Sequence, residues 1–225
     1  MKKILLGLFI LGTLGMAQQN YEVFVKSGVK ISQSEVDRDS KEIENIVNKM
    51  INDYETRDKK IMLKKSRIIF LRNVKKQNQN DEVYKNFNTE DKEFYDKYFE
   101  IAVNEMINSL DKISKYVPKS ISFIDKNIAK VEIIEILPDF NNLSGGDEDV
   151  EKAAKKAGVT DEETNNLEHI SDLSNQKREK ILKYLGEEIR KELSETTEES
   201  NILEFKKVNG KWETKDKLYD LSEFK

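Results

Sequence analysis

Cysteine is absent from the 225 residues, proline occurs only twice, and histidine and tryptophan once each. Each scarcity excludes something. Without cysteine no disulfide constrains the unfolded chain, and there is neither a thiol nucleophile nor a cysteine metal site, so the core alone must hold the fold. With His169 the sole histidine, multi-histidine zinc sites are impossible. No G-x-x-x-x-G-K-[ST] or G-x-G-x-x-G stretch occurs, which removes the common phosphate cradles. An excess of positive charge is missing as well. The net charge is −4, and a mildly acidic chain is a poor general binder of nucleic acid.

What is present begins with Met1 to Ala17, MKKILLGLFILGTLGMA. Lys2 and Lys3 precede an apolar run from Ile4 to Leu14, and Gly15 and Ala17 put small residues at the −3 and −1 positions of a cleavage site. That is the make-up of a secretory signal peptide, too short for a membrane span of about 20 apolar residues. Export to the periplasm or beyond is expected, with cleavage after Ala17 and no transmembrane segment thereafter. Loss of Lys2 and Lys3 leaves a net charge of about −6 on about 208 residues, enough for one large domain or two small ones. Residues 18–33 read as a leader in which Tyr21–Val25 can add an edge strand, and residues 34–225 as a single α+β domain.

Three helices are expected first. Ile43, Ile46, Val47, Met50, Ile51 and Tyr54 recur at helical spacing along one face. A second helix over about Asp58 to Gln77 gathers Met62, Leu63, Ile69, Phe70 and Val74 on one side. After a polar loop from Gln77 to Thr89, a third helix runs to about Lys115, with Thr89 as N-cap and Glu90, Asp91 and Glu93 suiting its dipole. Pro118 closes this half. Ser120–Ile124 and Ile128–Leu137 then read as strands, and the shift of alternation from Ile133 to Ile134 signals a β-bulge or burial on both faces. The Gly- and acid-rich stretch near 140–160 reads as a mobile connection. Thr160 and Glu163 have capping-box spacing, and a last helix from about Ser174 to Ser194 carries Ile181, Leu182, Leu185, Ile189 and Leu193.

The sharpest local signal is at Asn209-Gly210, which suits a two-residue type I′ hairpin turn. That turn pairs Lys206 with Glu213 and Glu204 with Lys215, and sets Leu203, Phe205 and Trp212 on the opposite face. A three-residue turn would oppose Lys207 to Lys211 instead, and like charges across a ladder destabilise. Phe205, Asn209, Gly210 and Trp212 are therefore the expected keystone of the sheet.

Nine lysines or arginines lie between Arg57 and Lys76 against one acid, Asp58. Lys64, Lys65, Arg67, Arg72, Lys75 and Lys76 could grip an anionic polymer, a phospholipid surface or an acidic partner. The ordinary alternative is a solvated face neutralised by acidic neighbours such as the first turn of the next helix. Other motifs carry less. Counting an EF-hand from Asp139 finds Asn141, but Leu143 and Ser144 then break the pattern. Ser-x-x-Lys occurs at Ser27, Ser109, Ser174 and Ser222 without the companion elements of an acyl-transfer site. His169, between Glu168 and Asp172 on an expected helix, has no matched nucleophile and reads as a surface residue. No catalytic, cofactor-binding or metal-binding residue is assigned.

Ile128-Ala129-Lys130-Val131-Glu132-Ile133 resembles the n-x-A-x-V-x-V strand of small secreted bacterial domains with the cystatin-like or nuclear-transport-factor-two-like cone fold. Phe205 to Glu213, with Asn209-Gly210-Lys211-Trp212, resembles their closing strand pair. The resemblance implies helices in the concave face of a bent antiparallel sheet, around a pocket that some members use for catalysis and many for binding. About 60 residues separate the two β regions here, where the family has a short turn, and no catalytic motif carries over. The expected architecture is thus α+β: about three N-terminal helices packed on a twisted antiparallel sheet of at least four strands, with a helical insertion between the hairpins. The expected function is that of an exported, non-enzymatic binding module at the cell envelope, whose partner is an unknown protein or small ligand. A cone-fold pocket enzyme and an adhesin-like or polyanion-binding helical surface are the alternatives.

Overall fold

A computed structural model describes residues 21–143, 147–166 and 169–219. The expected signal segment at 1–17 lies outside the described residues. The fold is α+β, and the chain divides into two compact units, where a single domain over 34–225 is the sequence expectation. Described residues of the first are 21–59, 115–136 and 198–219, and of the second 60–114, 137–143, 147–166 and 169–197.

The first unit is a sheet with one long helix. Its strands are β1 (Glu22–Val25), β2 (Lys115–Asp125), β3 (Ile128–Pro138), β4 (Thr196–Val208) and β5 (Lys211–Thr214), in that spatial order. β3 and β4 run a few residues on into the second unit. The expected purely antiparallel sheet is corrected to a mixed one, because β1 joins β2 in parallel at the edge, Glu22 beside Ser120 and Val25 beside Phe123. Pro118 lies inside β2 rather than before the β region, and it brings a bulge. Pro118 pairs with Ile133 but Ser120 pairs with Glu132, leaving Lys119 extra. Proline cannot donate to a ladder, so an irregularity there is the tolerated outcome. The bulge sits opposite the Glu132–Ile133 step, one residue before the alternation of β3 breaks. Up to Ile133 the strand buries every second residue, and from Ile134 to Leu137 both faces are half-buried.

One sheet face is apolar. Ile121, Phe123, Ala129, Val131, Ile133, Leu203, Phe205 and Trp212 are all buried, and α1 (Gln33–Asp53) packs on β2 and β5. Its buried stripe is Val36, Asp39, Ser40, Ile43 and Val47, the i, i+3, i+4, i+7, i+11 set of one helix face. Ser32 begins the helix with a reciprocal capping box to Glu35. At the far end a single π-helical turn, Tyr54–Asp58, follows directly.

The β4–β5 hairpin has the register that its charges require: Lys206 opposite Glu213, Lys207 opposite Trp212, and Val208 opposite Lys211. Asn209 and Gly210 have φ of 51° and 80°, as a type I′ turn demands. Nothing lies within 4 Å of where a Gly210 side chain would start, so Gly210→Ala tests the backbone alone. It is expected to cost about 1–2 kcal/mol in chemical denaturation, the penalty of a left-handed non-glycine residue. An unchanged midpoint would mean that the turn relaxes to another type.

The second unit is helical. It contains α2 (Lys59–Asn80, from Lys60 on), α3 (Glu82–Asn86), α4 (Thr89–Ile113), α5 (Asp147–Lys156), α6 (Asp161–Asn166), a 3₁₀ turn (Ile170–Asp172) and α7 (Asn175–Glu192). Its core is Phe94, Ala153, Ala157, Val159, Leu173, Ile181 and Leu185. Thus α1 alone of the long N-terminal helices packs on the sheet within its unit, while α2 and α4 belong with the helical insertion. Composition misleads at three further places. The stretch read as a loop from Gln77 contains the end of α2 and all of α3. The N-cap of α4 is Asn88, whose side chain accepts from the Asp91 amide, rather than Thr89. The Gly- and acid-rich stretch holds α5, because Val150, Ala153, Ala154 and Ala157 form a helical stripe of small side chains that acidic neighbours disguise.

Candidate functional site

The cationic segment folds as α2, for which its composition is well suited. Between Lys59 and Asn80 there is no glycine, proline or carboxylate, and lysine, arginine, leucine and methionine are good helix formers. The inward side is narrow. Leu63, Ser66 and Asn78 are buried, Met62, Ile69 and Val74 half-buried. Phe70, expected on the inward side, is instead exposed, although it stands seven residues after Leu63 and four after Ser66 on the same helix face.

The outward side is a ridge. Ile61, Lys64, Ile68, Arg72 and Lys75 follow one another at steps of three, four, four and three residues, so they share a face along the helix. All five are exposed, Ile61 at 42% and Ile68 at 49%. Lys76 is exposed and Lys65 half-buried beside them. Of the six cations singled out from sequence, the structure neutralises one. Arg67 donates to Asn104 Oδ1 at 2.8 Å and pairs with Glu100 at 3.4 Å. Among the described residues no carboxylate lies within ion-pair distance of Lys64, Lys65, Arg72, Lys75 or Lys76. Two of the expected neutralisers in the first turn of α4 are engaged elsewhere. Glu90 pairs with Arg178 at 2.6 Å, and buried Asp91 accepts the Ser171 amide and meets His169 Nδ1 at 2.9 Å. His169 therefore precedes a 3₁₀ turn as an anchor of α4 rather than lying on a helix.

The keystone residues are where the hairpin reading puts them. Phe205 and Trp212 are buried, and the Trp212 ring meets Phe123 edge-on at 5.8 Å. One partner of theirs went unnoticed in the sequence. Asp39, 1% exposed on α1, accepts from Lys207 Nζ at 2.7 Å and from Arg38 Nε at 3.0 Å. Lys207 Nζ also stands 5.4 Å from the Trp212 ring centre. The signal that could have found it is an acid three residues after Val36 and four before Ile43, inside an apolar stripe.

A second cluster gathers on the π turn and the sheet. Tyr54 packs edge-on against Tyr116 at 4.8 Å and tilted against Tyr219 at 5.1 Å. Tyr116 donates to the Leu218 carbonyl at 2.9 Å. Asp58 accepts from Arg57 and from the Tyr219 hydroxyl, and these donors hold its pKa down at about 2. Burial raises the Tyr219 hydroxyl, with help from Asp58, to about 12. Glu135 is shifted the other way: burial raises its carboxyl, although Tyr116 and Asn201 oppose the rise. A carboxyl raised on folding binds its proton more tightly in the native state, so it removes stability once pH exceeds its native pKa. Glu135→Gln is therefore expected to raise the neutral-pH melting temperature and leave stability near pH 4 unchanged. A loss at neutral pH would show that the Asn201 contact outweighs burial.

Among the described residues no group of three or more His, Asp or Glu side chains is placed to hold a metal ion, and no helix is long and apolar enough to cross a membrane. Compared with known proteins, the chain matches no family model, no curated sequence and no solved structure.

Proposed function

We propose that this chain is an exported, non-enzymatic binding module of the cell envelope, and that the outward ridge of α2 is its contact surface for an anionic partner. One observation carries the reading: five cations of a single helix stand exposed or half-exposed with no carboxylate in ion-pair distance among the described residues, in a chain whose net charge is negative. Clustered charge of one sign costs self-repulsion, which a solvated face ordinarily relieves with interspersed opposite charge. The export half of the reading is supported by the signal-like start at 1–17. Kinship with the cone-fold domains is supported by α1 against the sheet and by the Asn-Gly hairpin that ends it.

The ridge makes a simple prediction. The protein should be retained on a heparin column and elute earlier as salt rises. Lys64→Glu with Lys75→Glu should weaken that retention by at least about tenfold near 0.1 M salt, through loss and reversal of charge at exposed positions. Circular dichroism should be unchanged, because neither side chain is packed. Equal elution of variant and parent would overturn the assignment of α2.

A further inference from the structure

We infer that the anionic partner of α2 is the headgroup surface of an acidic phospholipid bilayer; this rests on the proposed role of α2 as the contact surface. The reasons lie in the two isoleucines and in how cations are rewarded at different surfaces. Ile61 and Ile68 stand seven residues apart, two turns along the same ridge as Lys64, Arg72 and Lys75. A mixed face laid on a bilayer sinks its apolar side chains into the headgroup–acyl boundary while the long stems of neighbouring lysines and arginines carry their charges out to the headgroups. Two isoleucines with lysine and arginine between and beyond them have that order, and Lys65 and Lys76 flank them.

Magnitudes favour a bilayer over a folded partner. Each lysine or arginine near an acidic membrane strengthens binding about fivefold, so the five unneutralised cations together give on the order of a thousandfold. The same cations in exposed ion pairs with a protein give up to about fivefold each and often nothing. A protein interface of ordinary stability instead needs a buried apolar core within roughly 1,200–2,000 Å² of interface. Two half-exposed isoleucines do not furnish one. A soluble polyanion would use the cations but gives the isoleucines no role.

Flotation with vesicles tests the inference on the full chain. Vesicles of phosphatidylcholine alone supply the baseline, including whatever the apolar start of the chain contributes, and mixed phosphatidylcholine–phosphatidylglycerol vesicles supply the acidic surface. The parent protein should prefer the mixed vesicles by at least about a hundredfold at low salt, and Lys64→Glu with Arg72→Glu and Lys75→Glu should erase the preference. Ile61→Ser with Ile68→Ser should weaken binding to mixed vesicles about tenfold while leaving heparin elution where it was. Equal binding of the parent to both vesicle types, with heparin retention intact, would overturn the lipid assignment and leave α2 as a site for a soluble polyanion. Vesicle binding indifferent to the isoleucine pair would also overturn it. Loss of vesicle preference together with absence of heparin retention would end the reading of α2 as a contact surface.

Discussion

Trp212→Ala is expected to remove about 3–5 kcal/mol of stability, the range for deleting a large aromatic side chain from a core. The side chain is 2% exposed, is the only indole in the protein, and rests edge-on against Phe123. Its removal would open a cavity bordered by sheet residues that cannot collapse without breaking strand register. Urea denaturation followed by far-ultraviolet circular dichroism measures the loss, since the variant has no tryptophan to report fluorescence. Trp212→Phe is the companion experiment. The indole nitrogen is buried without a hydrogen-bond acceptor among the described residues, so phenylalanine gives up area but also removes an unsatisfied donor. It should cost only about 1–2 kcal/mol. A Trp212→Ala loss below about 1 kcal/mol would refute the keystone role.

The second large effect is expected at Asp39 and Lys207. Asp39 is almost wholly buried and the Lys207 side chain is 16% exposed, their charged atoms 2.7 Å apart. Removing one partner strands the other charge where water reaches it poorly. Asp39→Ala should therefore cost about 3 kcal/mol, and Lys207→Ala somewhat less because Arg38 still reaches the carboxylate. Replacing both, Asp39→Leu with Lys207→Met, should cost far less than the two singles together, since two well-packed apolar side chains substitute for a desolvated pair. The cycle formed with Asp39→Leu and Lys207→Met singly should show a coupling of at least about 1.5 kcal/mol. Additivity within about 0.5 kcal/mol would mean that the two charges do not stabilise each other. The pair also bears on specificity. It ties the middle of α1 to the hairpin at a single register, because a shift of β4 by one residue would turn Lys207 to the opposite sheet face.

How much of this was legible in the chain depends on the range of the interaction. The Asn209-Gly210 hairpin could be read with its register, because the turn needs φ > 0 at two adjacent residues and the flanking charges disfavour the other loop length. The Thr160–Glu163 capping box formed as its spacing suggests, each group reaching the other's backbone amide. The stripe of Ile181, Leu185, Ile189 and Leu193 is buried in α7 and the residue that follows it. These are interactions between near neighbours in sequence. The candidate surface was half legible. Six cations could be named from composition, but whether they were neutralised depended on Glu90, Asp91 and Glu100, 14 to 36 residues away in sequence. Only the fold shows that Arg178 and His169 occupy the first-turn acids and that Ile61 and Ile68 are left exposed.

By itself, then, the sequence determined the α+β class, the limits of α1, α4, α7 and β3 to within a few residues, the closing hairpin, and the absence of thiol and multi-histidine chemistry. Periodicity, turn backbone and composition are local properties, and each carries its consequence with it. The tertiary structure decided what pairs with what. It set β1 parallel to β2, put a bulge at Pro118, buried Asp39 beneath Lys207, and, among the described residues, withheld carboxylates from the outward ridge of α2. Those outcomes rest on Coulomb and packing terms between residues far apart in the chain. Packing contacts fade within a few ångströms and exposed charges are screened within about 10 Å, so both depend on which residues the fold brings close, and no spacing along the sequence announces them.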